Sequence, residues 1–213
     1  LSLVGSEMCI RDSNWIRGVK PAAAGATTVE FLPAGRMIPT SGASTAVNSE
    51  DGQTGTRKAM TYKEVQAMQA KFNKDNVNKN ERYAMLESFM YQEFIDSLSA
   101  NQMAAFAGSA DLANGIVGKF AGFTFLERSS VLTLTTEGVF RLPGEARGAT
   151  DNLASIFWQK DSVTKALGDT KIFQDFDNPL YYGDLQSGLV KMGGRCARED
   201  WKGLGLIVQA ATA

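Results

Sequence analysis

The 213-residue chain has no histidine, the residue on which many enzyme sites depend. Histidine is the commonest metal ligand and the usual general base near neutral pH. No serine therefore has an imidazole partner of the kind that a catalytic triad uses. No group of acidic residues has the spacing of a metal site either. These absences argue against an enzyme; a small-molecule enzyme would instead need a pocket of convergent polar groups.

One of the two cysteines, Cys9, falls in a segment that we expect to be foreign to the protein. Residues 1–13 read LSLVGSEMCIRDS, which resembles the in-frame translation of a transposase adapter used to prepare DNA sequencing libraries. A signal peptide fits poorly, because residues 1–5 are too short for an apolar core and no basic region precedes them. We therefore expect the native polypeptide to begin near Asn14, with residues upstream of it missing.

Without this segment the chain has no net charge and no long apolar run. Removing Glu7, Arg11 and Asp12 from the 22 basic and 23 acidic residues leaves 21 of each. Such a balance offers no general electrostatic attraction to nucleic acid or to a membrane surface. No apolar run approaches the roughly 20 residues needed to span a bilayer. About 200 residues suffice for one sizeable core or for two small ones.

Cys196, which is then the one native cysteine, cannot belong to an internal disulfide framework. It lies in the basic stretch 195–198, where a neighbouring arginine would lower the pKa of the thiol. With no histidine partner for it, we expect Cys196 to be a small side chain that is buried or half-buried. A single cysteine also suits a reducing cytoplasm.

The last thirty residues, 180–209, have the most distinctive pattern in the chain. We interpret them as a long ribbon that turns at 199–203, where an Asx-turn and a glycine supply the turn chemistry, and returns as a strand at 204–208. The outgoing arm also has apolar residues at helical spacing, so periodicity alone does not decide its structure. Its glycines favour a strand, because each would cost a helix roughly 1 kcal/mol.

A first amphipathic helix is predicted to begin at Thr61. Thr61 and Glu64 form a capping-box pattern, in which each side chain binds a backbone N–H that the helix itself leaves unpaired. Val65, Met68 and Phe72 then recur on one face. We expect this face to lie against the core.

A second helix is predicted at 89–98, with Ser88 as its N-cap and a strand at 82–86 before it. One side of this helix carries Met90, Phe94, Ile95 and Leu98. Methionine and aromatic residues at this spacing are typical of a core. Glu93 and Asp96 fall on the opposite side, where we interpret them as solvating charge rather than as a general acid and base.

Two segments contain part of the residue pattern of a known ligand site but lack other residues that the site requires. Residues 73–80 (NKDNVNKN) contain calcium-ligand types, but Val77 takes a ligand position and no glycine makes the sharp turn, so a solvated helix terminus is predicted. Residues 115–122 contain three glycines, but Lys119 is followed by Phe120 rather than by Ser or Thr, and a strand comes next. There we predict close backbone packing instead.

The remaining segments alternate between short strands, loops and one short helix. Strands are predicted at 27–32, 123–127, 130–136, 155–158 and 171–173. Loops are predicted at 41–55 and 137–152. A short helix is predicted at 162–167, between an Asp161 cap and a Gly168 C-cap. Together these elements make an α+β fold.

Four stretches are most informative when they are taken together and in order. They read RKAMTYKEVQAMQAKFNKDNV, ERYAMLESFMYQEFIDSL, SADLANGIVGKFAGFTFLERSSVL, and WQKDSVTKALGD with NPLYYGDLQSGLVKMGGRCAREDWKGLGLIVQ. None is a chemical signature alone. In this order they strongly resemble the major capsid proteins of tailed bacteriophages, over nearly all of residues 40–209.

The resemblance implies a capsid fold made of a peripheral and an axial domain. It places the end of a truncated peripheral region and a loop at 14–59, the axial domain at 60–178, and returning peripheral strands at 179–213. The family's N-terminal arm, projecting loop and long helix would precede Asn14. The chain alone is then expected to be marginally stable and to aggregate, because open sheet edges would lack their partners.

The function implied by the resemblance is assembly of the icosahedral shell that encloses a phage DNA genome. The protein would be found in the virion, after assembly in the bacterial host cytoplasm. Its expected partners are other copies in hexamers and pentamers, scaffold, portal and protease proteins, and packaged DNA held by non-specific contact. We expect no catalytic residue, cofactor, metal or membrane partner. A phage decoration or tail-tube protein is the alternative.

Overall fold

The computed structural model describes residues 32–46, 53–111, 115–136, 138, 140–141, 146–178 and 183–211. The helices in these ranges are α1 (Tyr62–Lys74), α2 (Ser88–Asp96) and α3 (Ala100–Ala107), with 3-10 turns at Ala34–Arg36 and Lys160–Ser162. The strands are β1 (Met37–Pro39), β2 (Ser44–Ala46), β3 (Thr56–Lys58), β4 (Arg82–Glu87), β5 (Ile116–Phe120), β6 (Phe123–Arg128), β7 (Leu132–Leu134), β8 (Asn152–Gln159), β9 (Val163–Asn178), β10 (Gly183–Cys196) and β11 (Leu204–Val208). The predicted α+β class is confirmed.

A seven-stranded mixed sheet forms the body of the molecule. Its strand order is β1-β11-β8-β4-β6-β5, and β7 pairs with the first residues of β8. The β1–β11 and β4–β6 pairs are parallel, whereas β8 is antiparallel to both β4 and β11. In this register Ile156 of β8 lies between Leu206 of β11 and Met85 of β4. The sheet thus brings together strands that are distant in sequence.

Each face of the sheet carries its own apolar core, because successive side chains of a strand point to opposite faces. In β8, Phe157 joins the core on the helix side, whereas Ile156 and Trp158 join the other. In β4, Leu86 and Met85 divide in the same way. A strand buried on both faces reads as a continuous apolar run rather than as an alternation. This explains why β8 was readily predicted from sequence, although it is longer than the predicted 155–158.

Phenylalanine rings fill the core on the helix side. Phe94 of α2 stacks on Phe125 of β6 with ring centroids 5.1 Å apart, and Phe106 of α3 meets Phe125 edge-on at 5.5 Å. The Phe106 ring lies against Gly118, where a Cβ would approach ring atoms to 2.6 Å. The close packing predicted for the glycines at 115–122 is therefore confirmed at Gly118.

The first helix and its cap agree with the prediction. The Glu64 carboxylate accepts a hydrogen bond from the Thr61 backbone N–H at 2.7 Å and completes the capping box. Val65, Met68 and Phe72 are fully buried. The predicted helix terminus at 73–80 is also confirmed, since α1 ends at Lys74. The Arg82 guanidinium then binds the Val77 carbonyl at 2.7 Å.

The cap of the second helix was predicted one residue too late. Glu87, not Ser88, is the N-cap, and its carboxylate accepts hydrogen bonds from the Phe89 and Met90 N–H groups at 2.9 and 3.4 Å. Ser, Thr, Asp and Asn are the preferred N-cap residues, so local preference favours Ser88, whereas the longer Glu87 side chain reaches both N–H groups in the structure. Met90 and Phe94 are fully buried, as predicted.

Two helix predictions were wrong in opposite directions. Residues 162–167 are not helical: a 3-10 turn ends at Ser162 and β9 begins at Val163. Local helix formers there are overridden by pairing with β10, since propensity is a weak prior against tertiary contacts. Conversely, α3 was not predicted, although Ser99 and Gln102 form a capping box at its start.

The strand and loop predictions were met to different degrees. The predicted strands at 82–86 and 123–127 are confirmed, 130–136 shrinks to β7, and β1 and β5 were missed. The 41–55 segment is not a simple loop, because β2 within it pairs with β3. The strand at 27–32 lies outside the described residues except for Leu32, which is buried and in no strand. The segment 1–13, with Cys9, also lies outside them.

Candidate assembly surface

A long two-stranded ribbon is the most prominent feature outside the main sheet. Strands β9 and β10 pair antiparallel, from Val163 opposite Cys196 to Asn178 opposite Gly183. Within the described residues neither strand has another partner. Sixteen residues at roughly 3.3 Å each make β9 about 50 Å long. The outgoing arm of the predicted ribbon is thus a strand, but its partner is β9 rather than the return strand β11.

The base of the ribbon is held in the core of the body. Cys196 is buried, with 6% of its surface exposed, and it packs in the same core as Leu204 and Trp158. Its sulfur lies 3.4 Å from the Ser162 carbonyl oxygen and 3.3 Å from the Arg198 carbonyl oxygen, so the single S–H proton can be donated to either. The sequence-based interpretation of Cys196 as a small buried residue is confirmed. A thiol engaged in this way anchors the ribbon.

The chain leaves the ribbon through a turn that sets the start of β11. The Asp200 carboxylate accepts from the Lys202 N–H at 3.1 Å, as an Asx-turn requires, and binds the Arg198 guanidinium through two hydrogen bonds of 2.9 and 2.8 Å. These Arg198 hydrogen bonds hold the pKa of Asp200 well below its usual range. Gly203 has φ +83°, and a Cβ there would clash with the Ser162 hydroxyl oxygen. The predicted turn chemistry is confirmed, with Trp201 also at positive φ.

The ribbon exposes large apolar side chains to solvent on both faces. Ile172 is 72% exposed and Phe173 is 53% exposed, and adjacent residues of a strand point to opposite faces. Phe176 and Leu189 are also exposed. Four of the five large apolar side chains that are exposed among the described residues lie on this ribbon, and the fifth is Met103 of α3. An isolated two-stranded ribbon is marginal in water, and concentrated exposed apolar surface marks an interaction site.

Glu93 and Asp96, which the sequence analysis weighed as a general acid and base, differ in their surroundings. Glu93 is only half-exposed, and it accepts a hydrogen bond from the Met60 N–H at 2.9 Å. It joins α2 to the segment before α1 and is not simply solvating charge, so that interpretation is corrected. Asp96 is exposed, as predicted.

A further carboxylate, that of buried Asp151, is bound by Arg141 at 2.8 Å. Burial alone would raise the pKa of Asp151, but the hydrogen bonds from Arg141 and Gly148 lower it.

Two shallow grooves lie on the body, with volumes of about 300 and 320 Å3. The first is lined by Met37, Pro39, Leu134, Thr135, Thr136, Gly138, Asn152, Val208 and Gln209. The second is lined by Ser88, Phe89, Tyr91, Gln92, Ile95 and Glu127. Burial, with the nearby Glu127 charge, raises the pKa of Tyr91. Neither lining brings together several charged groups in the way that an enzyme pocket would.

The part of the chain that the structure describes contains no group of three metal-ligating His, Cys, Asp or Glu side chains. None of the helices described there is long and apolar enough to cross a membrane. The segment 73–80, considered for calcium, serves instead to bind the buried Arg82. Burial lowers the pKa of Arg82, which also donates to the Asn78 carbonyl at 2.8 Å.

The exposed ribbon surface was not recognised in the sequence. The adjacent apolar residues Ile172 and Phe173 were assigned to a short strand, without a prediction of which would be exposed. The sequence carried no local signal for this surface, because pairs such as Val163 with Cys196 join residues that are distant along the chain.

Comparisons with known proteins found similarity to phage capsid proteins. The sequence model of a family described as "Phage capsid protein" matches residues 11–174, which is more than half of the chain. The fold is similar to that of the capsid of Ralstonia phage GP4, with a TM-score of 0.60 and 13% identity over 99% of this chain and 64% of that one. At this identity the likeness shows the fold alone. The chain spans less than two thirds of the length of that capsid chain.

Two further structures are similar over smaller shares. The capsid of cyanophage P-SCSP1u has a TM-score of 0.48 and 21% identity, over 84% of this chain and 54% of that one. The structure titled Mycobacterium phage Che8 has a TM-score of 0.47 and 15% identity, over 81% and 53%. No curated protein matches. On the evidence of the family match, the chain belongs to the phage capsid protein family.

Proposed function

We propose that this protein is a major coat subunit, which assembles with copies of itself into the icosahedral shell of a tailed bacteriophage and encloses its DNA. The observation that carries the proposal is the match of residues 11–174 to the phage capsid protein family. The capsid-like fold and the exposed apolar ribbon support it. The function is then mechanical, and no step of it requires a catalytic residue, cofactor or metal.

Assembly rests on many interfaces that are individually modest. A standard interface buries about 1,600 Å2 in total, and repeated heterologous contacts between identical subunits close into rings and shells. Once one contact has formed between two subunits, their other surfaces are held close together, which raises the effective concentration for the next contact. Many weak contacts therefore give a stable assembly. Hexamers and pentamers are the units expected of such a shell. A formal net charge of −1 keeps the repulsion between neighbouring subunits small.

The remaining partners follow from the same proposal. Scaffold, portal and protease proteins would act during assembly in the bacterial host cytoplasm, and the finished protein would reside in the virion. The near-neutral chain would hold DNA by confinement and non-specific contact rather than by a basic surface. The predicted division into an axial domain at 60–178 and peripheral strands at 179–213 stays a proposal; its boundary falls between the paired strands β9 and β10. A structure of the assembled shell would test this division.

The proposal is tested by sedimentation velocity and electron microscopy on the purified protein, expressed with whatever residues its gene encodes before Asn14, at increasing concentration and with and without a scaffold protein. We expect regular closed particles or ring-shaped capsomers. Hollow tubes would favour a tail-tube protein instead. A monomer at every concentration, even with scaffold, would contradict the proposal.

A further inference from the structure

After β1 the chain leaves the main sheet, forms the β2–β3 hairpin and re-enters the body at α1. The described residues between Thr40 and Met60 are called the strap below. The residues at its two ends are buried, with Thr40 2% and Met60 0% exposed. The base of the strap is closed by a hydrogen bond of 3.0 Å from the Gly42 N–H to the Ala59 carbonyl. The strap is therefore a closed excursion between two fixed points.

The strap contains no large apolar side chain. Its residues are Ser, Thr, Gly, Ala, Gln, Arg and Lys. The side chains of Gln53 and Arg57 are buried, and both donate to the Asp151 carbonyl, at 2.9 and 3.4 Å. Opening of the strap would return these polar groups to water, which offsets much of the loss of their hydrogen bonds. A segment attached in this way can separate from the body at a lower free energy than global unfolding.

Two carboxylates from different helices hold the two ends of the strap. Glu64 of α1 accepts a hydrogen bond from the Ser41 N–H at 3.0 Å. Glu93 of α2 accepts one from the Met60 N–H at 2.9 Å. Both acceptors belong to the body, so the groups that keep the strap closed stay in place when it opens.

Gly42 fits the closed base so tightly that a side chain there is excluded. A Cβ on Gly42 would lie 2.6 Å from the Ala59 carbonyl oxygen and 2.8 Å from the Thr61 Cγ2. Gly42 is not among the glycines with positive φ, so its backbone conformation is open to other residues. The requirement for glycine at this position therefore comes from the closed base alone.

The strap covers the end of the main sheet. The Lys58 N–H donates to the Ala210 carbonyl at 2.9 Å, and Arg57 forms an antiparallel bridge with Ala211. Ala210 and Ala211 follow β11 closely in the chain. An uncovered strand edge can pair with another segment of chain, so the state of the strap controls access to this edge.

We propose that the strap opens and closes as one unit on a folded body, locked by the tight base at Gly42 and by the Glu64 and Glu93 carboxylates. In the closed state it covers the sheet edge at Ala210 and Ala211, and in the open state it exposes that edge. The proposal concerns the single subunit, so its failure would leave the proposed coat function standing.

The test compares Gly42→Ala with Gly35→Ala. A methyl group at position 42 forces the base of the strap apart, whereas a Cβ at position 35 meets no heavy atom within 4 Å. Both changes reduce the freedom of the unfolded chain in the same way, so Gly35→Ala is the matched control. Hydrogen exchange of the purified protein, read by mass spectrometry on peptides from the strap and from β8, measures the opening of each region. Trypsin cleavage after buried Arg57 is a second measure of strap opening.

In the wild type we expect strap amides to exchange at least about tenfold faster than β8 amides, after correction for intrinsic rates. Equal protection of the two regions overturns the proposal and needs no variant.

We expect Gly42→Ala to speed strap exchange and trypsin cleavage by at least a further factor of about ten, with β8 at its wild-type rate, and Gly35→Ala to change either by less than about threefold. Unchanged strap exchange in Gly42→Ala overturns the proposal. Equal acceleration of the strap and β8 also overturns it, because the strap would then separate only when the body unfolds.

Discussion

A single carboxylate, that of Glu64, joins the start of α1 to the segment in front of it. It accepts hydrogen bonds from the Thr61 N–H at 2.7 Å and from the Ser41 N–H at 3.0 Å. Its side chain is buried, with the residue 3% exposed. Burial alone would raise the pKa of Glu64, but the hydrogen bonds from Ser41 and Thr61 outweigh it and lower the pKa below its ordinary value of 4.5.

Glu64→Gln is expected to destabilise the protein by about 1–2 kcal/mol near neutral pH, because an amide is a weaker acceptor than a carboxylate for several donors at once. The lowered pKa means that the folded chain binds fewer protons than the unfolded chain. The stabilisation is therefore complete above the ordinary pKa of 4.5 and is lost as the pH falls through the folded value.

Chemical unfolding of both proteins between about pH 7 and about pH 3 measures this effect. The difference in unfolding free energy should shrink toward acid pH. A difference that stays constant over this range would show that Glu64 acts through packing rather than through its charge.

Among the elements, β8 and the ribbon represent opposite kinds of strand. Seven of the eight residues of β8 are buried, and the strand lies between two cores. The ribbon strand β9 instead exposes Ile172 and Phe173 on opposite faces. The body is therefore held by β8 and its neighbours, whereas the ribbon contributes little to the stability of a single subunit.

Phe157→Ala and Phe173→Ala make a matched pair for this contrast. Phe157 is fully buried against Phe123, with ring centroids 5.2 Å apart, so its truncation should cost about 3–5 kcal/mol of unfolding free energy. Phe173 is 53% exposed, and its truncation should cost less than about 0.5 kcal/mol in the dissociated subunit. Urea unfolding at low protein concentration measures both values. Comparable losses would mean that the ribbon is packed on its own subunit.

The whole molecule combines a nearly neutral charge with a projecting apolar surface. Its formal net charge is −1, with 22 basic and 23 acidic residues. Contacts between copies are then expected to depend on apolar burial more than on attraction between oppositely charged surfaces. This distinction can be measured, because salt screens the second kind of contact and not the first.

Raising sodium chloride from about 0.05 M to about 1 M should leave self-association unchanged, and sodium sulfate should strengthen it, because excluded salts favour the burial of apolar surface. Light scattering or sedimentation at matched protein concentration follows the response. Dissociation of the assembled protein by sodium chloride would instead identify ion pairs between subunits as the dominant contacts.

Local patterns correctly predicted the elements whose formation depends on residues that are close together in sequence. The capping box at Thr61, the α1 face, the buried strand at 155–158 and the Asx-turn at Asp200 were all recognised because each is defined within a few residues. The order of four longer stretches also indicated the family. The missed α3 carries a capping box of the same local kind, but Phe106 is its one buried residue, so no apolar face recurs along it at helical spacing.

The sequence by itself determined the α+β class, the main amphipathic helix, the turn before the last strand and membership of the capsid family. Only the tertiary structure decided which strands pair. It turned residues 163–167 of a predicted helix into the first part of β9, and it placed β11 beside β8 rather than beside β10. The physical reason is that strand pairing joins residues far apart in sequence, whose hydrogen bonds and packing outweigh local preferences of less than about 1 kcal/mol per residue.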